Sequence, residues 1–102
     1  MDKEEKNLER WKSSGDLKEW LRWNSSLEFV GPLLRDLRNS KYWPMHEGAI
    51  GKALVAECPT LREKATERLF HAVRWGPEED VIRLLLGAGA DVNSTKAFSC
   101  MD

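Results

Sequence analysis

The ten residues 84–93, LLLGAGADVN, carry the strongest structural signal in the sequence. An apolar run ends at two closely spaced glycines, and glycine just past a helix end adopts the left-handed conformation that closes the helix. Asp91 and Asn93 are turn-forming residues. The stretch therefore predicts a helix that ends before Gly89 and a sharp turn after it. Gly87 lies inside the predicted helix, where we expect alanine to be tolerated.

A second helix is predicted just upstream. Leu69, Ala72 and Val73 are spaced so that they share one face of a helix, and that face is expected to lie in the core. Gly76 marks the turn at which this segment ends. The order along the chain is therefore helix, glycine turn, helix, glycine turn.

This layout resembles one ankyrin repeat, a unit of about 33 residues. The family's first-helix motif is Thr-Pro-Leu-His-x-Ala-Ala, and the segment 66–93 keeps its leucine at Leu69 and its first alanine at Ala72. The proline is absent, and Phe70 occupies the histidine position. The closing segment 84–93 is close to the family consensus.

The resemblance implies an all-α fold, a short helical solenoid in which N-terminal helices cap the repeat. We divide the chain into a helical N-terminal segment at 1–65, an ankyrin-like repeat at 66–93 and a tail at 94–102, which we interpret as the truncated start of a further repeat. Ankyrin repeats are binding scaffolds and seldom catalysts. The expected function is therefore a non-enzymatic protein–protein interaction module, a fragment or short form of a longer adaptor or scaffold.

The N-terminal segment carries helix signals and no strand pattern. Helices are expected at about 4–12, 16–23, from 31, 45–57 and 60–75, with Asp16 capping the second of them and Trp11, Trp20 and Trp23 contributing to the core. Two interpretations remain open for residues 43–49, WPMHEGA. They resemble the first-helix motif of a degenerate repeat, or they are simply a helix start after a proline.

Composition excludes several classes of protein. The 102 residues carry a net charge of −1, whereas nucleic-acid and membrane-surface binding favour a basic excess. No apolar run approaches the roughly 20 residues that span a bilayer. Cys58 and Cys100 are too few for a disulfide framework, and no secretory leader opens the chain, so we expect a cytoplasmic or nuclear location and no secretion.

The alternative function is a small all-helical enzyme or metal protein that uses His46 and His71. With Cys58 and Cys100 they supply the residue types of a zinc site, but none of their spacings is the close kind that such sites use. A solvent-facing or hydrogen-bonded histidine is the simpler interpretation. We therefore expect no catalytic residue, no metal and no cofactor.

A candidate partner site lies on the first helix of the repeat. Arg68, His71 and Trp75 form one row on the face opposite Leu69. Tryptophan and arginine are enriched at binding hot spots, and Arg68 is expected to pair with a carboxylate of the partner. The other interpretation is that Trp75 packs beneath a preceding helix.

The second helix of the repeat is apolar around most of its circumference, because Ile82 and Leu86 widen its main stripe. A helix with so wide an apolar surface is expected to pack against neighbours on two sides. The sequence reaches only nine residues beyond Asn93, so no full repeat follows. We expect this face to be exposed and to permit self-association.

Overall fold

The computed structural model describes residues 2–76 and 78–92, and within these ranges the chain forms six α-helices and no strand. The helices are α1 (Lys3–Ser14), α2 (Asp16–Trp23), α3 (Val30–Arg38), α4 (Glu47–Glu57), α5 (Leu61–Trp75) and α6 (Glu79–Gly87). The all-α class predicted from the sequence is confirmed. Asn93, Cys100 and the tail 94–102 lie outside the described residues.

The first two helices are joined by a single glycine. Gly15 has a φ of +91°, which ends α1, and it occupies the N-cap position of α2. The sequence predicted that Asp16 caps α2, but its carboxylate instead accepts a hydrogen bond from the hydroxyl of Tyr42 at 2.6 Å. Trp11 is 2% exposed, so α1 is anchored in the core as predicted.

Helices α4 and α6 form the centre of the fold. Helix α4 packs against α1, α2, α5 and α6, and α6 packs in addition against α3 and α5. Glycines allow the two central helices to touch through their backbones. A Cβ placed on Gly51 would overlap the carbonyl oxygen of Leu84, and one placed on Gly87 would overlap the backbone of Gly48. The expectation that Gly87 tolerates alanine is therefore contradicted by this packing.

Helix α5 is a single helix of 15 residues that begins at Leu61, so the predicted start of the repeat at 66 lies inside it. Leu69 and Ala72 are buried as predicted. Val73 was placed on the same face, but it is 47% exposed, so this part of the prediction is wrong. Val73, four positions after Leu69, lies just outside the face of α5 that contacts the core.

The turn after α6 follows the predicted pattern. Gly89 has a φ of +93°, its N–H donates to the carbonyl of Leu86 at 3.0 Å, and the N–H of Ala90 donates to the carbonyl of Leu85 at 3.0 Å. This pair of bonds is the Schellman closure of a helix. The hydroxyl of Thr66 then accepts the N–H of Asp91 at 3.0 Å, which ties the turn to α5.

Gly76 behaves differently from Gly89. It ends α5, but its φ of 166° is extended backbone that any residue adopts, and a Cβ there would meet no atom within 4 Å. The position is a turn, as predicted, yet it does not require glycine.

The wide apolar surface of α6 is only partly exposed. Ile82 is half-buried against the core, whereas Leu86 is 45% exposed. The exposed face therefore centres on Leu86 alone. Within residues 2–76 and 78–92, no helix is both long and apolar enough to cross a membrane.

The prediction that Trp23 belongs to the core is wrong. It is 78% exposed, and its indole N–H donates to the carboxylate of Glu19 at 3.0 Å. Trp20 is half-buried and packs against the core cluster. Trp23 is the last residue of α2, where the chain leaves the helix, and no element within residues 2–76 and 78–92 covers its ring.

Arg38 connects three helices at one end of the molecule. From the last residue of α3 it pairs with Asp80 of α6 and lies 3.9 Å from the carboxylate of Glu47 in α4, with its guanidinium 5.6 Å from the ring centroid of Trp43. Burial raises the pKa of the Asp80 carboxyl, but hydrogen bonds from Arg38 and from the backbone N–H of Val81, with the charge of Arg38, outweigh it. The net pKa of Asp80 therefore lies below its ordinary value.

Candidate interaction groove

An open groove of about 550 Å³ lies beside the C-terminal half of α5, and we name it the α5 groove. Its lining residues are Glu28, Arg68, His71, Trp75, Gly76 and Glu78. All three residues of the predicted partner site lie in this set. The structure therefore brings together in one concavity the row that the helical spacing had placed on one face.

Helix α5 positions that row through its buried side. Leu69 and Ala72 face the core, which turns Arg68, His71 and Trp75 toward the groove. Trp75 is the last residue of the helix and is 74% exposed. Of the two interpretations left open by the sequence, the structure contradicts the one in which Trp75 packs beneath another helix.

The ring of Trp75 has one cationic neighbour on its own helix. The guanidinium of Arg74 lies 5.4 Å from the centroid of Trp75 and 5.7 Å from that of Phe70. These are cation–π distances. Phe70 in turn meets the ring of His71 edge to face, with centroids 6.1 Å apart. The aromatic side chains near the end of α5 are thus arranged by contacts within the helix.

Arg68 already has a carboxylate partner inside the chain. Its Nη2 lies 3.0 Å from Oε2 of Glu78, which comes just before α6. The Arg68 side chain is only 18% exposed, whereas that of Glu78 is 49% exposed. The sequence predicted that Arg68 pairs with a carboxylate of the partner. Because its guanidinium is held by Glu78, Arg68 instead braces the groove across the turn between α5 and α6.

Glu28, like Glu78, lines the groove although the sequence did not predict it there. It lies in the segment between α2 and α3, about 40 positions before the rest of the lining, and no local pattern connects it with α5. Its neighbour Leu27 is fully buried and has a φ of +64°. A non-glycine residue persists in this conformation only where its surroundings enforce it. The buried Leu27 therefore anchors the loop, and Glu28 beside it is exposed at the groove.

The two histidines do not share a site. His46 is the N-cap of α4, where its Nδ1 accepts the N–H of Gly48 at 3.1 Å, and it lines a different depression with Asp2 and Glu5. His71 lies in the α5 groove. Among residues 2–76 and 78–92, no group of three or more His, Cys, Asp or Glu side chains could hold a metal ion.

No family model matches this chain, and neither does any curated protein or solved structure.

Proposed function

We propose that this protein is a non-enzymatic protein-interaction module that binds a partner protein in the α5 groove. The observation that carries the proposal is the exposure of Trp75, of which 74% remains in solvent at the edge of a concavity. A tryptophan exposed to this degree forgoes most of the apolar burial that its ring could gain in a core. Tryptophan is also among the side chains most enriched at binding hot spots.

The groove is prearranged for binding. The Arg68–Glu78 pair joins the middle of α5 to the residue just before α6, and buried Leu27 holds the loop that carries Glu28. A partner that enters such a site has to order few side chains, and this reduces the entropic cost of association.

We further propose an ankyrin-type solenoid as the architecture, with residues 1–65, which include α1–α4, as the N-terminal segment that caps it and 66–93 as the repeat. The glycine-closed turn after α6 and its tie to Thr66 support this proposal. Leu86, which is 45% exposed on α6, supports a further contact at this end, either with additional repeats of an adaptor or scaffold or with a second copy of the chain.

The experiment compares Trp75→Ala with Trp23→Ala. Both remove a tryptophan that is about three-quarters exposed, but Trp23 lies on α2 and does not line the groove. Each tagged variant is expressed in the cells of origin, and the co-purified proteins are quantified by mass spectrometry. We expect a defined set of proteins to be retained by the wild type and by Trp23→Ala and lost from Trp75→Ala. Equal retention by both variants would show that the groove is not the binding site.

A further inference from the structure

We propose that the partner segment that enters the α5 groove presents a lysine or arginine side chain, which binds between the carboxylate of Glu28 and the exposed ring of Trp75. This inference rests on the proposed function, because it specifies the chemistry of the partner at the same groove.

The charged side chains in the groove favour a basic side chain on the partner. Among the residues that the structure describes, three charged side chains line the groove, and two of them, Arg68 and Glu78, already form an ion pair. Glu28 is exposed, and its carboxylate has no hydrogen bond or ion pair with any residue in the described ranges 2–76 and 78–92. The charge that the groove offers to a partner is therefore negative. Glu78 adds to it, since about half of its side chain remains exposed beside the pair.

Trp75 complements this charge. The face of an indole ring attracts a cation, and tryptophan is the best aromatic residue for this contact. A lysine or arginine side chain also has a methylene stem that packs on apolar surface while its charged end reaches a carboxylate. One basic side chain can thus use both the ring of Trp75 and the charge of Glu28, which a neutral or acidic side chain cannot do.

Arg74 is the feature that opposes a basic partner. Its guanidinium lies over Trp75 and would repel a second cation, and it would attract a carboxylate instead. However, Arg74 is not among the residues that line the groove, and the rings of both Phe70 and Trp75 already engage it. We therefore place the basic side chain on the groove side of Trp75, away from Arg74, and Arg74→Gln separates the two partner classes.

The experiment uses a library of random linear peptides displayed on phage and selected on the immobilised full chain, with counter-selection on Trp75→Ala. We expect the recovered peptides to be enriched in lysine or arginine beside an apolar residue. The dissociation constant of a recovered peptide is then measured by calorimetry for the wild type and for four variants, Glu28→Gln, Glu28→Lys, Arg74→Gln and Trp75→Ala.

For such a peptide, Trp75→Ala should weaken binding by about 30-fold, as expected for a hot-spot residue. Glu28→Gln should weaken it by about 2- to 5-fold, the range of an exposed ion pair, and Glu28→Lys by more. Arg74→Gln should leave binding unchanged or strengthen it. Replacing the basic residue of the peptide by norleucine should weaken binding to the wild type more than binding to Glu28→Lys.

The other outcomes separate the two proposals. Peptides that require Trp75 but are acidic or uncharged, and that lose affinity with Arg74→Gln or are indifferent to Glu28, would overturn the basic partner and leave the interaction groove standing. A selection in which no peptide distinguishes the wild type from Trp75→Ala would overturn both.

Discussion

Gly87 of α6 lies against the backbone of Gly48 in α4, so closely that a Cβ on Gly87 would overlap the carbonyl oxygen and Cα of Gly48. Neither the carbonyl oxygen nor the Cα of Gly48 can move aside as a flexible side chain would, because both belong to the backbone of α4. The close approach of the two central helices thus depends on the absence of a side chain at Gly87.

Gly87→Ala is therefore expected to destabilise the protein by about 1–3 kcal/mol or more, the cost of overpacking a tight contact. Helix propensity alone predicts the opposite sign, since alanine is favoured over glycine inside a helix. Gly76→Ala is the control, because its backbone is extended and a Cβ there would meet no atom within 4 Å outside its chain neighbours. Urea denaturation measures the free energy of unfolding of both variants. If Gly87→Ala is as stable as Gly76→Ala, the two helices do not approach as closely as described.

Gly89→Ala and Gly76→Ala should differ in the same assay. Gly89 has a φ of +93°, which costs a residue with a Cβ about 1–3 kcal/mol. The nearest side-chain atom to that Cβ is Nε of Arg62 at 3.2 Å, which can move away, so the backbone dominates the cost. Gly76 has extended backbone and open space, and alanine there should be neutral. Loss of stability in Gly76→Ala, with Gly89→Ala unaffected, would contradict this assignment of the turns.

The sequence signals that succeeded are local. Helices α4 and α5 begin and end within about two residues of their predicted bounds, and α6 ends before Gly89 as predicted, because prolines, glycines and apolar spacing act over a few positions. The row on α5 was predicted for the same reason. Contacts between distant residues were not predicted. The loop position of Glu28, the Arg68–Glu78 pair and the Gly48–Gly87 contact exist only after the helices have packed.

Asp80 should make stability depend on pH in the acid range. Its pKa is lowered in the folded protein, so the stabilisation is fully present above the unfolded pKa of about 3.9 and is lost as pH falls through the folded value. At neutral pH, Asp80→Asn should cost about 1 kcal/mol or less, because the Arg38 side chain is 43% exposed. The difference between the wild type and Asp80→Asn should shrink as pH falls below about 4.

Asp36→Asn is the control for that experiment. Asp36 is an exposed residue of α3 whose carboxylate has no hydrogen bond or ion pair within the part of the chain that the structure describes. Its substitution removes a carboxylate without breaking an ion pair, so it should leave the free energy of unfolding at neutral pH nearly unchanged. A difference for Asp80→Asn that stays constant from pH 7 to pH 2 would show that the carboxylate charge does not stabilise the fold.

Trp75→Ala and Leu85→Ala separate the binding surface from the core. Leu85 is fully buried in α6, and truncating such a leucine typically costs about 2–5 kcal/mol. Trp75 is the larger side chain, but 74% of it is exposed, so its removal should change the free energy of unfolding by only about 0.5 kcal/mol. Thermal and urea denaturation measure the stability of both variants, and the partner or peptide assay measures their binding. Trp75→Ala should fold as the wild type does and lose binding. If it unfolds as readily as Leu85→Ala, Trp75 supports the fold, and its loss of binding could no longer be assigned to the groove.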